Sequence, residues 1–166
     1  MRNIIAFPLL GLAVILQSSV ISQINLISGY ADLPLILLAA WALQERVKSS
    51  WHWAVTVCLM LGFVSALPWL VVVLGYLGVV FVAQMLQKRI WQAPLLAMFS
   101  VIFIGTLYMH VLSFVVLRIS GTALLFRDVM SLITLPSLLL NMLFSIPIYT
   151  FIRDLAGWVY PAEEYE

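Results

Sequence analysis

Residues 135–155 read "LPSLLLNMLFSIPIYTFIRDL", an apolar run that carries Pro136, Asn141 and Pro147 in its interior. A bilayer crossing takes roughly 20 apolar residues, and this run supplies them. Plain leucine would cross more stably, so the polar and helix-breaking residues need an account. Projected at about 100° per residue, Thr134, Ser137, Asn141, Ser145 and Tyr149 fall within roughly 120° of one another. Pro136 and Pro147 share the opposite face. The helix therefore has one hydrogen-bonding stripe and one face with two kink points. Carbonyls that proline leaves without a donor need local partners, so kinks persist where neighbouring helices cover them. The stripe supports two readings. In one, it joins this helix to its neighbours, each bond worth about 0.5–2 kcal/mol. In the other, it is a surface for a partner helix or ligand.

The same solvent governs the rest of the chain. Of its 166 residues, 64% are hydrophobic and 9% charged, whereas a soluble domain runs at about half and a quarter. The composition is that of an all-α polytopic membrane protein. Residues 1–166 form a single membrane domain, because no polar linker is long enough to divide them. The N-terminal "MRNIIAFPLLGLAVILQSSVIS" resembles a signal peptide in charge and hydropathy but lacks a convincing small-x-small cleavage site, so it reads as an uncleaved first span. Cys58 is the single cysteine, which leaves neither a disulfide framework nor a thiolate metal site. A net charge of +1 excludes a nucleic-acid groove, which needs a concentrated basic face.

Spans are expected near 4–22, 32–47, 51–67, 69–86, 93–116 and 129–152. Asp32 can cap the second and Pro34 fits its first turn; its far end, "QERVKSS", is expected to continue as helix. Residues 51–86 would reach roughly 54 Å as one helix, against about 30 Å of hydrocarbon. "ALPW" at 66–69 supplies the break, since Pro68 removes a donor and disfavours helix at Leu67. Six transmembrane helices with both termini cytoplasmic then place Arg2, Arg46, Lys48, Lys88, Arg89 and Arg153 inside and only Arg118 and Arg127 outside, as the positive-inside rule prefers. Tryptophans 41, 51, 53, 69, 91 and 158 all fall near span ends, the place of an interfacial belt.

Other polar residues are fewer. Thr106, His110 and Ser113 share a face of the fifth span, with Tyr108 nearby. An ionisable group in a span is a functional candidate, yet a neutral His needs only a hydroxyl or carbonyl partner. "LQSS" puts Gln17, Ser18 and Ser19 near the outer leaflet, where they suit a helix contact or the mouth of a polar cavity. Gly75 and Gly78 in "LGYLG" allow a close helix crossing, without the GxxxG spacing. The outer loop "RISGTALLFRD" sets Arg127 beside Asp128, as a helix start with a local ion pair or a docking site. The tail "GWVYPAEEYE" reads as an acidic, solvated end. HExxH, GxSxG and Walker patterns are missing, as is any cluster of His, Asp or Glu within the spans. The chain is read as a non-enzyme without cofactor or metal.

Three stretches together resemble the MreD family, the small polytopic subunit of the bacterial rod-shape (elongation) complex. They are "LQSS" closing the first span, "ADLPLILLAAWAL" opening the second, and "LLLNMLFSIPIYTFIRDL" with its asparagine followed by proline. Ala31 stands where the family has proline, and "VSALPW" at 64–69 replaces a glycine-leucine stretch that ends in an acidic residue. The resemblance implies a multi-pass protein of the bacterial inner membrane, similar in fold to the substrate-binding subunits of energy-coupling-factor vitamin transporters. It implies MreC as direct partner and, through it, the elongation transpeptidase, RodA and MreB filaments, with a role in organising lateral peptidoglycan synthesis. A vitamin-binding transporter subunit is the alternative. Partner-binding residues are expected among Asn141, Ser137, Ser145, Tyr149, Pro147, Gln17, Asp32 and Arg127. On this reading Asn141→Leu weakens partner retention and leaves insertion intact.

Overall fold

The computed structural model describes residues 6–19, 23, 25–45, 47, 50–88 and 93–160. Six helices dominate it: α1 (Ala6–Ser19), α2 (Leu33–Ala42), α3 (Ser50–Val64), α4 (Trp69–Gln87), α5 (Pro94–Ile119) and α6 (Phe126–Val159). Between α1 and α2 lies a small antiparallel hairpin of β1 (Asn25–Leu26) and β2 (Gly29–Tyr30). Three helices, α4, α5 and α6, are long and apolar enough to cross a membrane. The other three fall short of the six spans expected. At about 1.5 Å per residue, α1 and α3 reach roughly 21 and 22 Å and α2 only about 15 Å, against about 30 Å of hydrocarbon.

The shortest helix is the centre of the bundle. All ten residues of α2 are buried, and it packs against α1, α3, α4, α5 and α6. Its start follows from the sequence: the Asp32 side chain accepts the Leu35 N–H and Pro34 occupies the first turn, where its missing donor costs nothing. Its end comes earlier than expected. Gln44 N–H bonds Trp41 O and Val47 N–H bonds Gln44 O, tight turns that stop the helix at Ala42. Residues 46, 48 and 49 of "QERVKSS" lie outside the described residues.

Pro68 breaks the chain as anticipated, between α3 and α4. In the turn, Leu67 N–H bonds Ser65 Oγ at 3.1 Å, and Val71 N–H takes Pro68 O as acceptor at 2.9 Å. Antiparallel α4 and α5 cross closely at the two glycines of "LGYLG". Met109 packs on Gly75, and Tyr108 packs its ring on Gly78 while its hydroxyl bonds Leu74 O at 3.2 Å. The hairpin, the 65–68 turn and the 120–125 loop thus share one end of the bundle, called here the hairpin end. At the other end, the Gln87 side chain donates to Gln44 O at 2.7 Å.

Two tryptophans depart from the expected belt. Trp41 and Trp53 are fully buried and stack with ring centroids 3.8 Å apart. Burial of their large apolar rings outweighs an interfacial position because α2 lies inside the bundle. Trp51, Trp69 and Trp158 are exposed, and Trp91 lies outside the described residues. Arg127 and Asp128 do not form the anticipated ion pair. Both are exposed, where such a pair contributes at most about 1 kcal/mol; among the described residues the ion pair is Arg153–Asp154.

The α6 helix explains its first proline. Pro136 has no N–H to offer Leu132 O, four residues earlier. The hairpin fills the vacancy: Ser28 N–H reaches Leu132 O at 3.2 Å. A π-helical turn over Val129–Thr134 widens the helix at this point, a local device for inserting a foreign donor. The two prolines do not share an environment as their common face implied. Pro136 is buried beneath the hairpin, whereas Pro147 is exposed on the outside of the bundle. Gly29 makes the hairpin's approach possible, because a Cβ there would stand 2.6 Å from Ser137 N and 2.8 Å from Ile133 O. Backbone atoms on both sides cannot yield cheaply. Gly29→Ala is expected to destabilise the purified chain by about 1–3 kcal/mol, read as a lowered thermal midpoint; an unchanged midpoint would show that the hairpin is not held against α6.

Candidate functional site

A helix that begins inside a protein must find partners for its first backbone N–H groups, because water is not there to take them. At α2 each of these donors can be followed. Asp32 N–H donates to Asn141 Oδ1 at 2.7 Å. Leu33 N–H donates to Gln17 Oε1 at 2.9 Å. Pro34 has none. Leu35 N–H donates to Asp32 Oδ1 at 3.0 Å, and Ile36 N–H to Asp32 O at 3.1 Å. Both amide side chains use their other end as well: Gln17 Nε2 donates to Ala31 O at 2.8 Å and Asn141 Nδ2 to Thr106 Oγ1 at 2.9 Å. The polar residues of four helices therefore converge on one point.

The α6 stripe turns inward along its length. Thr134, Ser137, Asn141, Ser145 and Tyr149 are all buried, so the expected partner surface is an internal one. Ser137 Oγ accepts Tyr30 N–H at 3.0 Å and thereby fixes the hairpin. Ser145 Oγ donates to Met142 O at 2.6 Å on its own helix. Tyr149 lies toward the other end, in a cleft with Gln44, Gln87 and Arg153. Of the eight residues singled out, the structure brings together Gln17, Asp32, Ser137 and Asn141. Pro147 and Arg127 are exposed and stand apart from that group.

Beside the α2 start, at the hairpin end, lies a cavity of about 310 Å³. Gln17 and Ser18 line it from α1, Tyr30 and Asp32 from the hairpin and the α2 start, Ser65 from the 65–68 turn, Tyr76 from α4, and His110 and Ser113 from α5. The polar mouth anticipated from "LQSS" is thus part of this wall. Asp32 is half-buried, its carboxylate sharing the Tyr76 hydroxyl at 2.9 and 3.0 Å. The volume is at the lower end of small-ligand sites, about 300–1,000 Å³. Among the described residues no group of His, Cys, Asp and Glu is arranged to hold a metal ion.

Thr134 Oγ1 lies 3.0 Å from His110 Nδ1 and 3.1 Å from Val129 O, so its single proton serves one or the other according to the His110 tautomer. Ser113 gives its proton to Met109 O at 2.7 Å.

Sequence reading missed Tyr76 and Tyr30. The signal for Tyr76 was present in "LGYLG", where a hydroxyl in an otherwise apolar run demands a partner; the flanking glycines drew attention instead. Compared with family models, curated proteins and solved structures, the chain matches none. The expected likeness to vitamin-transporter subunits is therefore without a structural counterpart.

On this geometry Asn141 joins α6 to the α2 start and to α5, which is the first of the two readings of the stripe. Asn141→Leu leaves Asp32 N–H without a partner and is expected to cost about 2–4 kcal/mol. Adding Thr106→Val should cost less in that background than alone, because the hydroxyl has already lost its bond. Thermal unfolding of the four purified proteins measures this. Strict additivity would contradict a direct Asn141–Thr106 bond.

Proposed function

We propose that this chain is a non-enzymatic, multi-pass subunit of the bacterial elongation complex, in the manner of MreD, with MreC as direct partner. One observation carries the reading. The three stretches of the resemblance are far apart in sequence, yet Gln17, Asp32 and Asn141, one from each, are joined through hydrogen bonds at the α2 start. A shared motif set whose members meet at one structural point is what a common architecture requires. The reading includes six membrane helices, with short α1, α2 and α3 completing the set begun by α4, α5 and α6, and both termini in the cytoplasm of a bacterial inner-membrane protein. The alternating helices support it: Lys88 and Arg153 belong to the end opposite the hairpin, as the positive-inside rule prefers for a cytoplasmic face.

With the polar stripe enclosed, a partner is expected to meet the molecule on other surfaces. The hairpin end offers exposed Leu26, Ile27, Leu125 and Phe126. Ile27 also holds a φ of 59°, a strained value for a β-branched residue. That places an apolar side chain at the hairpin tip against local preference, as a contact surface would. The further links to the elongation transpeptidase, RodA and MreB run through MreC on this reading.

The cavity favours a second reading, a vitamin-binding subunit of an energy-coupling-factor transporter. Purification of the tagged chain from its native membranes in mild detergent separates the two. MreC with wall-synthesis enzymes is the expected recovery; transporter ATPases with a coupling membrane subunit would replace this proposal with the second.

A further inference from the structure

The hydrogen-bonding sense of the cavity wall points to the chemistry of what enters it. Tyr76 spends its proton on the Asp32 carboxylate, Ser113 spends its own on Met109 O, and His110 Nδ1 is committed to Thr134. What Asp32, Tyr76 and Ser113 retain are acceptors: carboxylate lone pairs and hydroxyl oxygens. Tyr30 and Ser65 keep hydroxyls that can act in either sense. Among the described residues no lysine or arginine lines the cavity, and Asp32 forms no ion pair with any of them. The positive end of α2 offsets only about half a charge. A carboxylate that faces a cavity within an apolar bundle is stabilised most by a cation brought to it.

We propose that this cavity is a binding site for a cationic nitrogen group, an ammonium or guanidinium, with Asp32 as its counter-ion and Tyr30 and Tyr76 beside it. The cavity's volume admits one such head with a short carbon frame. Tyrosine rings near a carboxylate suit this ligand, since ring faces also attract cations. The cation has two possible sources, a free small amine or amidine and a lysine or arginine side chain of a partner. The site rests on the cavity's own chemistry and not on which complex the chain serves, so its failure and a failure to recover MreC are separate results.

The test uses the purified full chain in lipid nanodiscs, titrated calorimetrically with benzamidinium and with its uncharged near-isostere benzamide. Wild type is expected to prefer benzamidinium by about tenfold or more. Asp32→Asn should bring the two to equal affinity, because Asn retains a side-chain oxygen for Leu35 N–H and caps a helix as well as Asp does. An unshifted thermal midpoint for this variant confirms that the fold is intact. If it does unfold, Tyr76→Phe, which leaves the carboxylate in place, should keep the charge preference. Equal binding of the two probes to wild type, or an unchanged preference in Asp32→Asn, overturns the proposal. Mass spectrometry of an organic extract of the native protein distinguishes the sources. A stoichiometric amine identifies a free ligand, and partner capture lost in Asp32→Asn identifies a side chain.

Discussion

The structure depends on the buried start of α2. A short helix enclosed by five others leaves little room for water at its first amides, and each buried donor left unmet costs about 1–3 kcal/mol. The solution is distributed: Gln17 comes from α1, Asn141 from α6, and Asp32 from the cap itself. Because these partners belong to α1 and α6, the centre is complete only with both helices packed on it. Asn141 in turn fixes α5 through Thr106. A satisfied polar network thus sets a register that apolar packing alone leaves loose, since lipid tails are as apolar as leucine.

The hairpin extends the same logic to α6. Proline removes one donor from that helix, and Ser28 N–H supplies one from outside; Ser137 returns the favour by taking Tyr30 N–H. Proline and serine, one residue apart, give a membrane helix one free acceptor and one side-chain acceptor for an irregular segment. Non-helical backbone is tolerated at such a position only when covered by protein, and Gly29 lets the two backbones meet. Together these contacts hold Tyr30 in the cavity wall.

Much of this was legible in the sequence. Apolar runs, Pro68 and the Asp32–Pro34 pair located most of the helix starts, and a 100° projection of α6 grouped the five residues that are buried. The function of that stripe was not decided by periodicity, since a face turned to a partner and a face turned to the bundle have the same sequence. The depth of α2 was hidden for a related reason: lipid-facing and protein-facing helices are equally apolar, so "LPLILLAAWA" does not announce its position. Trp41 and Trp53 were misplaced with it. The hairpin is two residues per strand, too short for alternation to register. The cavity is assembled from five separate segments, and Tyr76 acquires meaning only when Asp32 is seen beside it.

Amide hydrogen exchange over residues 27–40, in lipid nanodiscs, tests the central claim most directly. If the α2 start is closed by Gln17, Asn141 and Asp32, the amides of Asp32, Leu33, Leu35 and Ile36 exchange as slowly as those in the middle of α4. Exchange at the rate of an open loop, with α4 still protected, would contradict it and leave the bundle without the centre described.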